Sequence, residues 1–323
     1  MNLKSLTEKK KHLDNLRPLP EALIQNLDDW LKIELTYSSN AIEGNTLTRR
    51  ETALVVEKGL TVGGKSLIEH LEATNHAQAI DWVKQQITRH PTGLSEYDIL
   101  NIHSIILRGI DDFNAGHYRS IPVRISGSTV ILPNPRKVPD LMGAFIKKLN
   151  ASCDFHPVSL GAEAHYDLVT IHPFVDGNGR TARLLMNMIF MMCGYPPAII
   201  RKQDRLKYIN ALEKAQLGGS KDDFLNIIMR AAERSLDIYL KAMQGENFPL
   251  DEDPKLLKIG ALAKATHTSH ATLRHWIKEG LVQVAETTAS GYQLFHSDMI
   301  TSIERIKDLK KQRFSLQEIR GKI

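Results

Sequence analysis

The chain has 323 residues, of which 42% are hydrophobic, and a formal net charge of +5. This length and apolar content predict a globular protein of two or three domains rather than a disordered chain. Two cysteines, Cys153 and Cys193, lack a metal-type spacing, which argues against a disulfide framework and against a zinc site. Residues 1–14 lack the apolar core of a secretory signal, and the longest apolar stretch, 184–193, is too short to span a bilayer. We therefore expect a cytoplasmic protein with no membrane partner.

Hydrophobic periodicity predicts that most of the chain between about residues 21 and 242 is α-helical. The predicted helical runs are 30–42, 49–58, 66–88, 96–107, 138–149 and 181–193. An acidic stretch that contains proline, 245–255, predicts a linker. We therefore predict an N-terminal helical region over 1–95, a helical core over 96–244 and a C-terminal module over 256–323.

The helix that covers 30–42 is expected to start near residue 28 or 29 and to stop at Gly44. Ser39 and Glu43 lie near its end, four residues apart, and share one face. A carboxylate at a helix C-terminus is mildly unfavourable because it meets the negative end of the helix dipole. The position of Glu43 therefore suggests a functional contact, and ordinary helix-end polarity is the alternative.

The segment from Gly59 to Ser66 matches the phosphate-binding pattern G-x4-G-K-[ST]. A P-loop follows a buried strand, whereas residues 49–58 are charged at both ends and predict a short amphipathic helix. We therefore interpret 59–66 as a loop between helices and predict that Lys65 does not bind nucleotide.

Residues 119–132 alternate in hydrophobicity and are rich in Val, Ile and Thr on both sides of a turn at 126–128. This pattern predicts a β-hairpin that Pro133 ends. An exposed hairpin without a binding role is the alternative to a docking surface.

The connection between two predicted helices carries the sequence HPFVDGNGRTAR at 172–183. Its glycines free main-chain N–H groups to turn toward an anion, and the N-terminus of the next helix adds partial positive charge. Arg180 and Arg183 lie on neighbouring parts of one helical face and can bind phosphate oxygens. Asp176 is a hard oxygen ligand for Mg²⁺, and His172 can accept a proton from a hydroxyl group. The combination predicts a phosphate-handling site.

This segment meets every position of the signature HPFx[DE]GNGRxxR and resembles the Fic family. The resemblance extends over about residues 28–240 and includes the sequence GYPP at 194–197. It implies a mainly α fold, with a Fic-type helical core and a β-hairpin flap. It also implies transfer of AMP from ATP to Tyr, Thr or Ser hydroxyls with release of pyrophosphate, and therefore ATP and Mg²⁺ as cofactors.

Individual roles follow from the resemblance. His172 would be the base that activates the target hydroxyl, and Asp176 would bind Mg²⁺. Asn178 and the loop N–H groups would stabilise charge on the α-phosphate, while Arg180 and Arg183 would hold the outer phosphates. The family often has Asn where this chain has Gln216, the last residue of the implied adenine pocket. The implied ATP-binding residues are Asp176, Gly177, Asn178, Gly179, Arg180, Thr181, Ala182 and Arg183, with Tyr208, Ile209 and Gln216 as the wall of the adenine pocket.

Two other segments receive roles from the same resemblance. The predicted hairpin is similar to the family's flap, whose extended edge would pair with a target segment. Its docking residues would be Val123, Arg124, Ile125 and Ser126. Ser39 and Glu43 resemble the inhibitory motif [ST]xxxE[GN]. By that resemblance Glu43 would pair with Arg183 and occupy the space of the ATP γ-phosphate.

Residues 254–323 contain 12 Lys or Arg against 6 Asp or Glu, and this local excess indicates a module that binds a polyanion, or alternatively a solvated charged face. Helices predicted to open at 257 and 268 have helix-turn-helix spacing, and a wing over 288–295 precedes a helix from 297. The order resembles a MerR-type winged helix-turn-helix, although Trp276-Ile277 replaces its usual aromatic-acidic pair. The residues implied at or near DNA are Ser269, Thr272, Arg274, His275 and Lys278.

These observations favour a protein adenylyltransferase that Glu43 restrains. Its target would be an unidentified protein, the chain itself included, and DNA would be a further partner. The alternatives are a DNA-binding regulator or a protein-binding scaffold whose Fic core modifies itself or removes AMP. A homodimer is compatible with each hypothesis.

Overall fold

The computed structural model describes residues 3–152, 155–246, 256–284, 286–287, 291–295, 297, 299–312 and 314–320. The chain divides into two compact units, Met1–Phe248 and Pro249–Ile323. Cys153, most of the predicted linker and the predicted tip of the wing, 288–290, lie outside the described residues.

The first unit is helical throughout its described part, apart from connections and three short 3-10 turns at Pro91–Gly93, Pro135–Lys137 and Lys202–Asp204. Its α-helices are α1 (Leu3–Asn15), α2 (Glu21–Ile42), α3 (Arg49–Lys58), α4 (Leu67–Gln86), α5 (Glu96–Leu107), α6 (Val138–Ala151), α7 (Pro157–Ile171), α8 (Asn178–Met192), α9 (Arg205–Gln216) and α10 (Asp222–Met243). The predicted mainly α class is therefore confirmed.

Helix α2 starts earlier than its sequence pattern predicted. It begins at Glu21, directly after Pro20, rather than near residue 28. Proline is well suited to helix starts because it fixes φ and has no N–H that needs a partner. The predicted end is right, since the helix stops at Ile42 and Gly44 adopts a φ of 103°.

The P-loop-like segment connects two capped helices. Thr48 caps the start of α3, and Gly59 ends that helix in the left-handed region with a φ of 63°. Ser66 then caps the start of α4. Lys65 donates to the Thr46 carbonyl at 2.6 Å. A helix, α3, directly precedes the loop where a P-loop would follow a strand, so the interpretation of 59–66 as an inter-helix connection is confirmed.

Helix α8 lies at the centre of the first unit. It packs against α7, α4, α5 and α2, and every residue from Arg180 to Phe190 is buried. A methyl group on Gly161 of α7 would collide with the Phe190 ring, so glycine lets these two helices approach closely. The central position of α8 fixes its N-terminus against elements from distant parts of the chain.

The predicted β-hairpin is wrong in one respect. A turn is present where expected, with Gly127 at a φ of 79° and Ser128 N–H donating to the Ile125 carbonyl at 3.2 Å. The two arms are not β-strands, although all residues from 119 to 132 are described. Arg119 binds the carbonyls of Ile121 and Pro133 through its guanidinium. These side-chain bonds take the place of cross-strand pairing at the base of the flap.

The second unit contains four helices and a small antiparallel sheet within its described residues. Its elements are β1 (Leu257–Lys258), α11 (Ile259–Thr266), α12 (His270–Lys278), β2 (Glu286–Thr287), β3 (Gln293–Phe295), α13 (Met299–Lys311) and α14 (Leu316–Arg320), with sheet order β1-β3-β2. A separate apolar core includes Leu262, Leu273, Trp276 and Phe295.

The helix-turn-helix and the wing lie in this second unit. Helix α11 and helix α12 are separated by a turn at His267, whose φ is 49°. Residues 257 and 258 form a strand rather than the start of the first helix, because they pair with β3. Strand β3 lies within the predicted wing and pairs antiparallel with β2, which comes directly before the predicted bounds of 288–295.

Among the described residues, no helix is both long and apolar enough to cross a lipid bilayer.

Candidate active site

His172 is the C-cap of α7 and adopts a left-handed conformation with a φ of 52°. Its N–H donates to the Leu168 carbonyl at 2.9 Å, so the chain turns directly after the last helical bond. The ring Nδ1 lies 3.3 Å from the Val169 carbonyl. Because a carbonyl only accepts, the ring proton is on Nδ1 and Nε2 keeps its lone pair. Burial lowers the pKa of His172, although the Val169 carbonyl opposes the shift, so the imidazole is a neutral acceptor through Nε2.

The loop after His172 is held by two polar side chains. Asn178 accepts from the Phe174 N–H at 3.0 Å and donates to the Phe174 carbonyl at 2.9 Å. Arg119 donates through Nε to the His172 carbonyl at 2.7 Å, and its main-chain N–H donates to the Pro173 carbonyl at 2.9 Å. The side chain of Asn178, expected near the α-phosphate, therefore stabilises the loop through hydrogen bonds to the main chain of Phe174.

The N-terminus of α8 faces a carboxylate from another helix. Gly177 precedes α8 with a φ of 76° and provides no capping side chain, so the first N–H groups lack a partner within the helix. A methyl group on Gly179 would collide with Oε1 of Glu43. Glycine at 179 therefore allows the Glu43 carboxylate to approach the main chain at a position that favours anions.

Glu43 forms an ion pair with Arg183, whose Nη2 lies 2.6 Å from Oε1. Arg183 also donates from Nε to Ser39 Oγ at 2.9 Å and from Nη2 to the Ser39 carbonyl at 3.0 Å. Burial would lower the pKa of Arg183, but Glu43 and Tyr208 raise it above its usual value. The structure thus brings together Ser39, Glu43 and a charged Arg183, as the motif implied.

Arg180 binds two carboxylates instead of lying free for phosphates. Its Nη1 is 2.8 Å from Glu72 Oε1, and its Nη2 is 3.0 Å from Asp176 Oδ2. The Arg180 side chain is 3% exposed and that of Asp176 is 69% exposed. Arg180 therefore orients Asp176 from the protein interior. Glu72 also accepts from Asn45 Nδ2 at 2.9 Å, which joins the loop after α2 to the start of α8.

Three residues of the predicted ATP set belong to the core. Thr181 donates through Oγ1 to the Gly177 carbonyl at 2.9 Å, and Ala182 is fully buried. Tyr208 is 2% exposed. Its hydroxyl lies 3.4 Å from Arg183 Nη1 and 2.8 Å from His165 Nε2. Tyr208 thus lies behind Arg183 rather than on an open wall.

The other two adenine-wall residues lie at an accessible edge of α9. Ile209 and Gln216 are both half-buried. Gln216 Nε2 is 3.3 Å from the Val169 carbonyl and 3.3 Å from Thr170 Oγ1. The same carbonyl contacts His172, so Gln216 and His172 are anchored to one point at the end of α7.

The flap is anchored at its turn to α9. Ser128 Oγ donates to Glu213 Oε1 at 2.7 Å, and the Thr129 N–H lies 3.2 Å from the same oxygen. Among the proposed docking residues, Val123 and Ile125 are half-buried while Arg124 and Ser126 are exposed. This alternation gives the segment one inner and one outer face.

Sequence analysis did not single out His103, Arg119 or Glu72, although each contacts α8 or the loop 172–177, the candidate catalytic loop. His103 Nε2 lies 3.0 Å from the Asp176 carbonyl, and burial lowers the pKa of His103 to about 4. The one available signal was a single histidine among the buried isoleucines of α5. The partners lie far away along the chain, so local patterns carry no trace of the contacts.

The described residues contain no cluster of three or more His, Cys, Asp or Glu side chains arranged to hold a metal ion. A magnesium ion that binds substrate phosphates needs few protein ligands, commonly one or two carboxylates. The exposed, oriented Asp176 fits such a site.

In the second unit, the five residues implied near DNA lie at the start and on the outer face of α12. Ser269 Oγ accepts from the Thr272 N–H at 3.0 Å and caps the helix. Arg274, His275 and Lys278 are exposed, because the helix directs Leu273 and Trp276 into the core.

Comparison with known proteins agrees with this geometry. Residues 93–190 match the model of the Fic/DOC family, and residues 257–323 match that of the MerR HTH family of regulatory proteins. The protein adenylyltransferase Fic of Nematostella vectensis is 39% identical over 226 residues, which are 69% of this chain and 50% of that protein. The chain therefore spans about half the length of the curated relatives that it matches.

Two solved structures share the fold. Fic-1 of C. elegans, over its residues 134–508, is 31% identical with a TM-score of 0.68, and the match covers 75% of this chain and 72% of that one. A Fic-domain signalling protein of Bacteroides thetaiotaomicron is 32% identical with a TM-score of 0.68, and the match covers 77% of this chain and all of that one. The family model covers the signature loop and most of the helix after it, and one homologous structure is matched over its whole chain. This protein therefore belongs to the Fic/DOC family.

Proposed function

We propose that this chain transfers AMP from ATP to a Tyr, Thr or Ser hydroxyl of a protein, and that Glu43 restrains the transfer. One observation carries the proposal. The Glu43 carboxylate binds Arg183 over Gly179, at a helix N-terminus that is otherwise arranged for an anion. The relatives named protein adenylyltransferase support the same activity.

The proposed reaction uses His172 as the base. Its Nε2 accepts the proton of the target hydroxyl while the hydroxyl oxygen attacks the α-phosphorus of ATP. The new O–P bond forms as the bond between the α-phosphorus and the bridging oxygen breaks, and pyrophosphate leaves. The first N–H groups of α8, from Asn178 to Arg180, stabilise charge on the phosphates, and Arg183 binds the γ-phosphate after Glu43 has moved.

Asp176 is the residue that we propose holds Mg²⁺ against the phosphates, where the ion would neutralise developing charge. Arg180 fixes the orientation of that carboxylate through its contact at 3.0 Å. The adenine ring is proposed to lie against Ile209 and Gln216, while Tyr208 supports Arg183 from behind. The flap residues 123–126 are proposed to hold the target segment above His172.

The test is transfer of AMP from α-labelled ATP by the parent chain, Glu43→Gly and the double variant Glu43→Gly/His172→Ala. We expect Glu43→Gly to be well above the parent, self-modification included, since removal of the carboxylate frees Arg183. We expect the double variant to lose about 10² to 10⁴ of that rate, as for loss of a general base. Equal rates for parent and Glu43→Gly contradict the restraint, and full activity in the double variant contradicts the role of His172.

The target is proposed to be a cytoplasmic protein or this chain itself. AMP removal is the alternative outcome for the same site. It predicts hydrolytic release of AMP from a modified target, in which water attacks the phosphorus and the target hydroxyl leaves, with no net transfer from ATP.

A second proposed function is DNA binding by the C-terminal unit. It is supported by the MerR match over 257–323 and by the exposed basic residues of α12. We expect the full chain to bind duplex DNA with an affinity that falls steeply with salt, because each neutralised phosphate releases counterions. Arg274→Ala with Lys278→Ala should weaken binding, whereas Lys214→Ala, at another exposed lysine, should not. Absence of binding at low salt would favour a protein-binding module.

A further inference from the structure

His103 connects the catalytic loop to the root of the flap. It lies on α5 and is fully buried. Its Nε2 is 3.0 Å from the Asp176 carbonyl, and its Nδ1 is 2.9 Å from the Gly116 N–H. Gly116 lies three residues before Arg119, which holds the flap base and the His172 carbonyl.

These two contacts fix the position of the ring proton. The Gly116 N–H can only donate, so Nδ1 of His103 must accept and carries no hydrogen. The Asp176 carbonyl can only accept, so Nε2 must carry the hydrogen and donate. A single neutral tautomer satisfies both partners, and neither is another side chain that could rotate away.

The face of the His103 ring also makes a contact. It stacks on Phe174 with centroids 3.6 Å apart and planes within 6°. A Cβ on Gly177 would lie 3.2 Å from His103 Cδ2. One imidazole therefore contacts both Phe174 and Asp176 and would be crowded by any side chain at position 177, while Arg119 holds the loop at its His172 end.

From this geometry we infer that His103 is a positioning residue of the transfer reaction. Its imidazole, with the proton on Nε2, holds the Asp176 segment and the root of the flap in one fixed relation. It touches neither the nucleotide nor the target, and it acts through Asp176 and Gly116. The inference rests on the proposed AMP transfer, in which Asp176 and the flap place the two reactants.

Two substitutions separate the contacts. In His103→Gln the amide nitrogen reaches the place of Nε2 and can donate to the Asp176 carbonyl. In His103→Asn the amide oxygen reaches the place of Nδ1 and can accept from the Gly116 N–H. His103→Phe keeps the stack on Phe174 and loses both hydrogen bonds.

The experiment measures kcat and KM for ATP in the Glu43→Gly chain. A misplaced reacting group costs on the order of a hundredfold in rate, so we expect His103→Phe and His103→Asn to lose about that factor in kcat. We expect His103→Gln to recover to within about tenfold of Glu43→Gly, because it restores the bond to the loop. Ile99→Val, buried in the same helix, controls for loss of core packing, and thermal melts are compared for all variants.

Equal losses in His103→Gln and His103→Asn that follow melting temperature alone would overturn the inference, as would near-full activity in all three variants. A second measurement needs no activity: the ring ¹⁵N shifts of His103 at neutral pH should report a proton on Nε2, and a proton on Nδ1 would overturn it. If Glu43→Gly itself transfers no AMP, the proposed function fails, and the ring shifts still decide the state of His103.

Discussion

Helices α8 and α12 begin in opposite ways. The N-terminus of α12 is capped by its own Ser269, which accepts from the Thr272 N–H. The N-terminus of α8 follows a glycine and faces the carboxylate of Glu43, which belongs to the end of α2. A local cap stays with its helix, whereas a carboxylate from another helix can be exchanged for a different anion. We therefore propose that the α8 terminus can exchange one anion for another, whereas the α12 terminus carries a cap from its own chain segment.

The largest effect is expected at the N-terminus of α8. We expect Glu43→Gly to lower the Kd for ATP by about tenfold to a hundredfold, since charge-assisted hydrogen bonds contribute roughly 1.5–3 kcal/mol. The phosphates would then meet Arg183 without a competitor. Isothermal titration with ATP measures the effect. Glu57→Gly, near the end of α3, is the matched control, and an unchanged Kd in Glu43→Gly would contradict the competition.

The pH dependence of kcat/KM tests how Glu43 affects the pKa of His172. Burial lowers the pKa of His172 from the usual 6.5, Arg119 acts in the same direction, and Glu43 and Asp176 oppose it. The neutral form is the base, so the rate should hold below pH 6.5 and then fall tenfold per pH unit at more acidic values. In Glu43→Gly one opposing carboxylate is gone, which moves the acid limb lower still. An acid limb at or above pH 6.5 in that variant would contradict this account.

A smaller effect is expected at the connection between α2 and α8. Glu72→Gln leaves the buried Arg180 with Asp176 as its remaining carboxylate and weakens the contact with Asn45. We expect a loss of roughly 1–3 kcal/mol of stability, which lowers Tm by roughly 2–4 °C per kcal/mol for a unit of this size. Glu163→Gln, whose pair with Lys221 is partly exposed, should shift Tm by much less. Equal Tm shifts would mean that burial of the Arg180–Glu72 pair does not increase its contribution to stability.

The smallest effect is expected at the N-terminus of α12. Ser269→Ala should cost about 1 kcal/mol, since it removes a side-chain N-cap. Hydrogen exchange of peptides from 259–278 should become faster by about fivefold. The Kd for ATP should stay unchanged, because the proposed ATP site lies at α8 of the first unit and Ser269 belongs to the second unit. A change in ATP affinity would show that the two helix ends are not independent.

Regular elements were predictable where local signals agree. The bounds of α3 and α5 match the predicted runs 49–58 and 96–107, since capping residues mark their starts. Helix α8 starts three residues earlier than predicted, at Asn178. Residues 178–180 are Asn, Gly and Arg, which add nothing to a hydrophobic periodicity although Asn178 and Arg180 are buried. The helix itself starts directly after Gly177.

The site was predictable in its residues more than in their contacts. The motif indicated His172, Asp176 and Arg183. In the structure His172 ends α7, Asp176 lies in the loop that follows, and Arg183 lies in α8. The motif could not indicate that Arg180 would bind Glu72, or that hydrogen bonds from Arg119 would replace strand pairing in the flap. Those contacts depend on which distant segments meet, and that is decided by tertiary packing.

The pair between Glu43 and Arg183 has a consequence for how the chain responds to dilution. In the proposed restraint, Glu43 is an inhibitor that belongs to the same molecule as Arg183, so its effective concentration does not depend on how much protein is present. Lowering the protein concentration cannot release it. A competing anion at sufficient concentration, or a movement of α2 away from α8, is needed to free the arginine.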